Sequence, residues 1–190
     1  MSHLGNSRSL VAAATIALAL AAPARAQDAF TVTSAGHVRS EFIADMDTLH
    51  AKIVALAKAI PADKYNWRPA SGARSVSEAL MHVAGEWYFW GPSSMAGKPP
   101  ADFGNPRDKL PALEKDVTSK DAVLAELEKS WTHCRGQLET ADAARLTGKY
   151  QPWNTTVDRA AFGMAGDLHE HLGQLIAYAR SVGVAPPWSK

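Results

Sequence analysis

The sequence predicts an all-α protein, a bundle of four helices, on three observations. Four stretches carry apolar residues at steps of three, four and seven, the spacing of a helix that buries one face. Capping residues open three of them, and a proline or a glycine closes the first and the last. No stretch alternates with the period of two that a half-buried strand requires.

Ahead of the helices, residues 1–26 read as a secretory signal peptide. Arg8 supplies a sparse positive start, Leu10 to Ala22 is an unbroken small and apolar run, and Ala24-Arg25-Ala26 is a small-x-small cleavage site. The run is too short to span a bilayer comfortably. The expectation is a periplasmic or secreted protein whose single folded domain is residues 27–190, long enough to bury a core. Net charge is +1, with Lys and Arg scattered, so neither nucleic acid nor an anionic membrane surface is expected as a partner.

The first helix is expected over about 37–60, with Val38, Phe42, Leu49, Ile53, Leu56 and Ile60 inward and Pro61 as its stop. His50, beside Leu49, reads as structural. Residues 61–74 are too rich in turn formers to be regular. Ser75-Val76-Ser77-Glu78 is a capping box, so the second helix starts near Val76. It carries Val76, Ala79, Leu80, Val83, Trp87 and Trp90 on one side, with His82 at the edge of that stripe and Glu86 one turn on. Its aromatic end, Trp87 to Trp90, suits a core or a pocket mouth.

From Gly91 to Thr118, five prolines and three glycines break the pattern, and no helix is expected. A connection this long fits parallel second and third helices, because the chain must travel a full helix length before restarting. The surplus would fold over one end as a lid or meander on the surface. The third helix spans about 119–140, capped within Thr118 to Asp121. Its inward stripe, Leu124, Leu127, Trp131, Cys134 and Leu138, makes Cys134 a core residue rather than a nucleophile. Cys134 is the sole cysteine, which excludes an intrachain disulfide. After an irregular stretch over 141–154, the fourth helix is expected over about 156–182, with Thr155 and Asp158 as a capping pair and a stop near Gly183.

Chemistry concentrates in Gly166 to Tyr178. Asp167 and His171 stand one turn and about 40° apart, so both can reach one point beside the helix. His169 faces the opposite way from His171, about 200° round. An imidazole and a carboxylate that reach one point can hold a divalent ion.

Trp67-Arg68-Pro69, then Arg74-Ser75-Val76-Ser77-Glu78 and Leu80-Met81-His82-Val83-Ala84, joined much later to Glu170-His171-Leu172-Gly173-Gln174-Leu175, resemble the DinB and YfiT-like superfamily of metal-dependent four-helix proteins. The likeness covers nearly all of residues 27–190. It implies a bundle with up-down-down-up connectivity and a divalent ion, zinc or nickel above all, held by one histidine of helix two and two residues of helix four. His82 and His171 match two of these ligands. Asp167 stands where many members have histidine and the mycothiol-dependent isomerase branch has glutamate, with His169 as the rival third ligand. Glu86, Glu170 and Gln174 are candidates for the surrounding shell that orients ligands. The resemblance implies an enzyme of hydrolase or thiol-transferase type that uses a metal-activated water or thiol on a small-molecule substrate. The alternative is a non-catalytic periplasmic bundle that binds metal or a small ligand. Relatives often pair, so a homodimer is the expected assembly.

Overall fold

A computed structural model describes residues 32–91 and 98–189. The signal peptide read over residues 1–26 lies outside the described residues. Within them stand five helices: α1 (Val32–Ala59), α2 (Val76–Tyr88), α3 (Pro106–Asp116), α4 (Lys120–Thr140) and α5 (Val157–Ser181). One short antiparallel ladder joins β1 (Lys149–Tyr150) to β2 (Thr155–Thr156). The chain is all-α, as its periodicity predicts. No described helix is long and apolar enough to cross a membrane.

Helix α2 begins on its capping box: Ser75 Oγ accepts the Glu78 N–H at 3.3 Å, and Glu78 accepts the Ser75 N–H at 2.6 Å. The chain before it is fastened down. Tyr65 is buried and donates its hydroxyl to the Ala57 carbonyl at 2.7 Å, while Arg68 pairs with Glu78 at 3.0 Å. Trp67 meets Tyr178 of α5 edge to face, ring centres 5.5 Å apart. The Trp-Arg-Pro motif therefore ties the start of α2 to the end of α5. At that end Gly183 adopts φ +81°, a left-handed conformation that glycine takes without penalty, and the helix stops.

The connection over 91–118 contains a helix that the sequence reading does not foresee. Asn105 caps α3 by accepting the Arg107 N–H at 3.0 Å, and Pro106 occupies the first helical position, where no N–H partner is needed. Pro111 lies within α3 on its exposed side. Prolines that look like breakers thus start one helix and are tolerated in it. Helix α3 packs on α2, and Gly85 permits the close approach: a Cβ there would meet Leu110. For this reason α2 is buried nearly all round rather than along one stripe.

The expected Thr155–Asp158 cap is also corrected. Thr155 and Thr156 are held in the ladder opposite Tyr150 and Lys149, so Thr156 becomes the N-cap, without a side-chain bond. Asp158 instead accepts the N–H of Arg159 at 2.9 Å.

Helices α1 and α2 each pack against both α4 and α5. The core runs through Met46, Leu49 and Ile53 of α1, Leu80, Val83 and Trp87 of α2, Leu127, Cys134 and Leu138 of α4, and Leu168 and Leu175 of α5. Each such Leu, Ile, Val or Met side chain stabilises the fold by about 1.5–3 kcal/mol relative to exposure. Cys134 is fully buried, which raises its thiol pKa and leaves it inert. His50 stacks on Trp131 at 4.8 Å and meets Trp87 edge to face, a structural placement whose burial lowers its pKa.

Candidate metal centre

Helices α2 and α5 bring His82, Glu86 and His171 together, with ligand atoms of all three within 4.8 Å of one another. His82 and Glu86 lie one turn apart on α2, so both point at α5. The imidazoles of His82 and His171 meet edge to face at 4.8 Å. Glu86 Oε1 lies between them, 3.3 Å from His82 Nε2 and 3.4 Å from His171 Nε2. Its other oxygen, Oε2, is buried with no hydrogen-bond partner among the described residues. An orphaned carboxylate oxygen costs free energy unless something binds it.

The far nitrogen of each imidazole has an acceptor. His82 Nδ1 is 2.7 Å from Glu114 Oε1 of α3, and Arg74 holds Glu114 through Nε at 2.8 Å. His171 Nδ1 is 3.2 Å from Gln174 Oε1, and Gln174 donates to the Tyr178 hydroxyl at 3.1 Å. An Nδ1–H donated to an oxygen fixes the tautomer and leaves the Nε2 lone pair for a ligand. Both Nε2 atoms face Glu86.

Asp167 stands at the margin, its Oδ2 3.4 Å from His171 Nε2. The four groups share charge unequally. Burial pushes Glu86 up, but hydrogen bonds from His171 and His82 outweigh it and hold its pKa at about 2. Burial and the neighbouring Glu86 carboxylate lift Asp167 to about 6. The hydrogen bond to Glu114, then that to Glu86, raises His82 to about 9. His171 is raised chiefly by Glu86. Raised imidazole pKa values beside a carboxylate held low mean that protons compete with a cation for the same atoms.

His169 turns away from this cluster. Its Nε2 lies 3.1 Å from Asp45 Oδ2 of α1, and its side chain is half exposed. Glu170 is exposed and lines a cleft beside Asp167. Glu86 sits among the histidines rather than behind them, whereas Gln174 is behind His171. Glu114 has no counterpart in the sequence reading. A single acidic residue in a proline-rich connection carries no signal until α3 packs on α2.

The family model of the DinB superfamily matches residues 45–175, from within α1 to within α5. This chain belongs to the DinB superfamily. Its matched span includes every residue of the His82, Glu86, Asp167 and His171 cluster. DinB proteins often bind divalent metals, and the donor set here fits one: two imidazoles with acceptors behind them and a buried carboxylate with a spare oxygen. No curated protein sequence matches this DinB chain.

Proposed function

We propose that this chain is an exported, metal-dependent enzyme of hydrolase or thiol-transferase type, acting on a small molecule. His82, Glu86 and His171 would hold a zinc or nickel ion, with Asp167 at its edge as a fourth donor or as a proton carrier. The observation that carries the reading is the convergence of both Nε2 atoms on a buried carboxylate while both Nδ1 atoms are committed elsewhere. Bound there, a divalent ion lowers the pKa of a coordinated water or thiol and polarises an oxygen.

The chain's own groups supply the rest. Glu114 and Gln174 orient the imidazoles. Asp167, with a pKa of about 6, is placed to accept or donate a proton at the mouth of the cleft. That mouth favours an enzyme over a closed structural site, because a substrate could reach a carboxyl beside the donors.

The fold behind it is read as an up-down-down-up four-helix bundle formed by α1, α2, α4 and α5. Contacts from α1 to α4 run in opposite order, Lys58 to Lys120, Asp47 to Arg135 and Arg39 to Ala141. Those from α2 to α5 do too, His82 to His171 and Gly91 to Met164. Export rests on the residue pattern of positions 1–26.

Elemental analysis of protein purified without chelator tests the centre. Stoichiometric divalent metal is expected in the wild type, absent from His82→Ala and His171→Ala and retained by His169→Ala. Retention by His171→Ala, or no metal after reconstitution with zinc and nickel, would sink the proposal.

A further inference from the structure

A cleft of about 560 Å³ runs along one face of α5 and shares Asp167 with the metal centre. That volume suits a small organic molecule. Arg159, Phe162, Gly163, Gly166, Asp167 and Glu170 recur at helical steps and form its α5 side. Gly166 leaves the helix bare in the middle of this stripe, with nothing within 4 Å of a Cβ placed there. A Cβ at position 163 would lie 3.2 Å from Trp153 Cζ3 and 3.6 Å from Arg159 Nη1, so the indole and the guanidinium rest side by side over Gly163.

Large apolar surfaces face this floor. Trp153 is 47% exposed and Phe162 60% exposed, and Trp90 meets Trp153 edge to face at 4.7 Å. Two such rings left in water around a glycine floor would gain by covering a flat apolar body.

Charge gives the cleft a direction. Arg159 is the basic residue of its lining, and no carboxylate among the described residues lies within ion-pair distance of it, whereas Arg68 and Arg74 each hold one and Arg135 holds two. Asp167 and Glu170 stand at the opposite end, about 12 Å along the helix for Asp167.

We propose that the cleft binds a small carboxylate with a planar apolar body. The carboxylate sits on Arg159, the body lies over Gly166 against Trp153 and Phe162, and the far end reaches Asp167. The inference names the substrate class of the enzyme proposed above and rests on that reading only for which end reacts.

The test uses 2-naphthoate and its uncharged analogue 2-naphthamide, titrated calorimetrically into the full chain in metal-free and zinc-loaded forms. Naphthoate is expected to bind about tenfold tighter than the amide in both forms, the worth of one charge-assisted hydrogen-bonded pair. Arg159→Met should remove that preference while leaving amide binding unchanged. Trp153→Ala and Gly166→Leu should weaken both ligands, one by removing a wall and the other by filling the floor. Equal affinities, no naphthoate binding, or a preference that survives Arg159→Met would each overturn the proposal. A preference that survives in Arg159→Met only with zinc would put the carboxylate on the metal and overturn it too. Zinc content of the same samples keeps the two readings apart. A chain that takes up no zinc but shows the Arg159-dependent preference refutes the metal centre alone, and normal zinc without the preference refutes the cleft alone.

Discussion

Glu114 reaches His82 from a different helix, and its own position depends on Arg74, so the orientation of one donor is set by a chain of two contacts. Removing the acceptor frees the imidazole to rotate. Glu114→Ala is expected to weaken metal binding by about 10–100-fold, and Glu114→Gln, which keeps an acceptor oxygen, by less. Competition against a chromogenic chelator measures both, and equal affinity in Glu114→Ala would remove Glu114 from the centre. Protons compete for the same nitrogens. In the metal-free protein the Glu114 and Glu86 contacts raise His82 from 6.5 to about 9, so its stabilising charge is complete below pH 6.5 and is lost as pH rises through 9. Metal binding has the opposite sign: it requires loss of these protons, so affinity should rise from pH 6 to 9. Calorimetry at pH 7 in buffers of different ionisation enthalpy should register proton release on zinc binding; heats independent of buffer would contradict it. Asp167 and His171 were legible as chemistry because helical spacing sets them one turn apart, and His82 because the family motif matches it. Glu86 was legible only as a neighbour of His82, since spacing gives its direction but not its burial. Glu114 was invisible, because its role exists only through tertiary packing.

At the scale of elements, the close junctions are made by glycine. A Cβ at Gly91 would strike Cys134 Sγ of α4 and Met164 Cε of α5, so the chain leaving α2 threads between two helices. The Met164 methyl can swing aside, but Cys134 is fully buried and has little room. Gly91→Val is therefore expected to cost about 1–3 kcal/mol, read as a lowered denaturation midpoint with an unchanged slope. Gly85→Ala should cost less, because it meets the flexible end of the Leu110 side chain. An unaltered midpoint in Gly91→Val would mean the junction is looser than drawn. The four long helices were legible because each buries a continuous stripe, and the capping box fixed the start of α2 to the residue. Helix α3 was missed because its evidence is local and reads two ways. Pro106 after Asn105 is as much a helix start as a breaker, and only the α2 surface beneath it decides between them. The cap of α5 was misplaced for a similar reason: the ladder with β1 claims Thr155 and Thr156 before a side-chain cap can form.

For the whole molecule, the centre exists only when the fold does. His82 and Glu86 come from one helix and His171 from another, with the 91–118 connection, α4 and the short ladder between them in the chain. The unfolded chain cannot present this set, so a divalent ion held at the proposed centre would bind the native state alone and shift the folding equilibrium toward it. At free metal about one hundred times Kd, the added stability is about 2.7 kcal/mol. For a chain of this length each kcal/mol moves Tm by about 2–4 °C, so zinc should raise Tm by roughly 5–10 °C. A chelator should reverse the shift. The same titration on His171→Ala should give no shift, and on His169→Ala a full one, since His169 pairs with Asp45 on the far face of α5. A shift of equal size in His171→Ala would mean that zinc stabilises the protein from somewhere else. No shift in the wild type would mean that the buried Glu86 is balanced by two imidazolium ions alone, which leaves its Oε2 without a partner. That second arrangement predicts its own signature, a metal-free protein that loses stability as pH rises from 6.5 to 9, the window in which His82 keeps its proton only in the folded state.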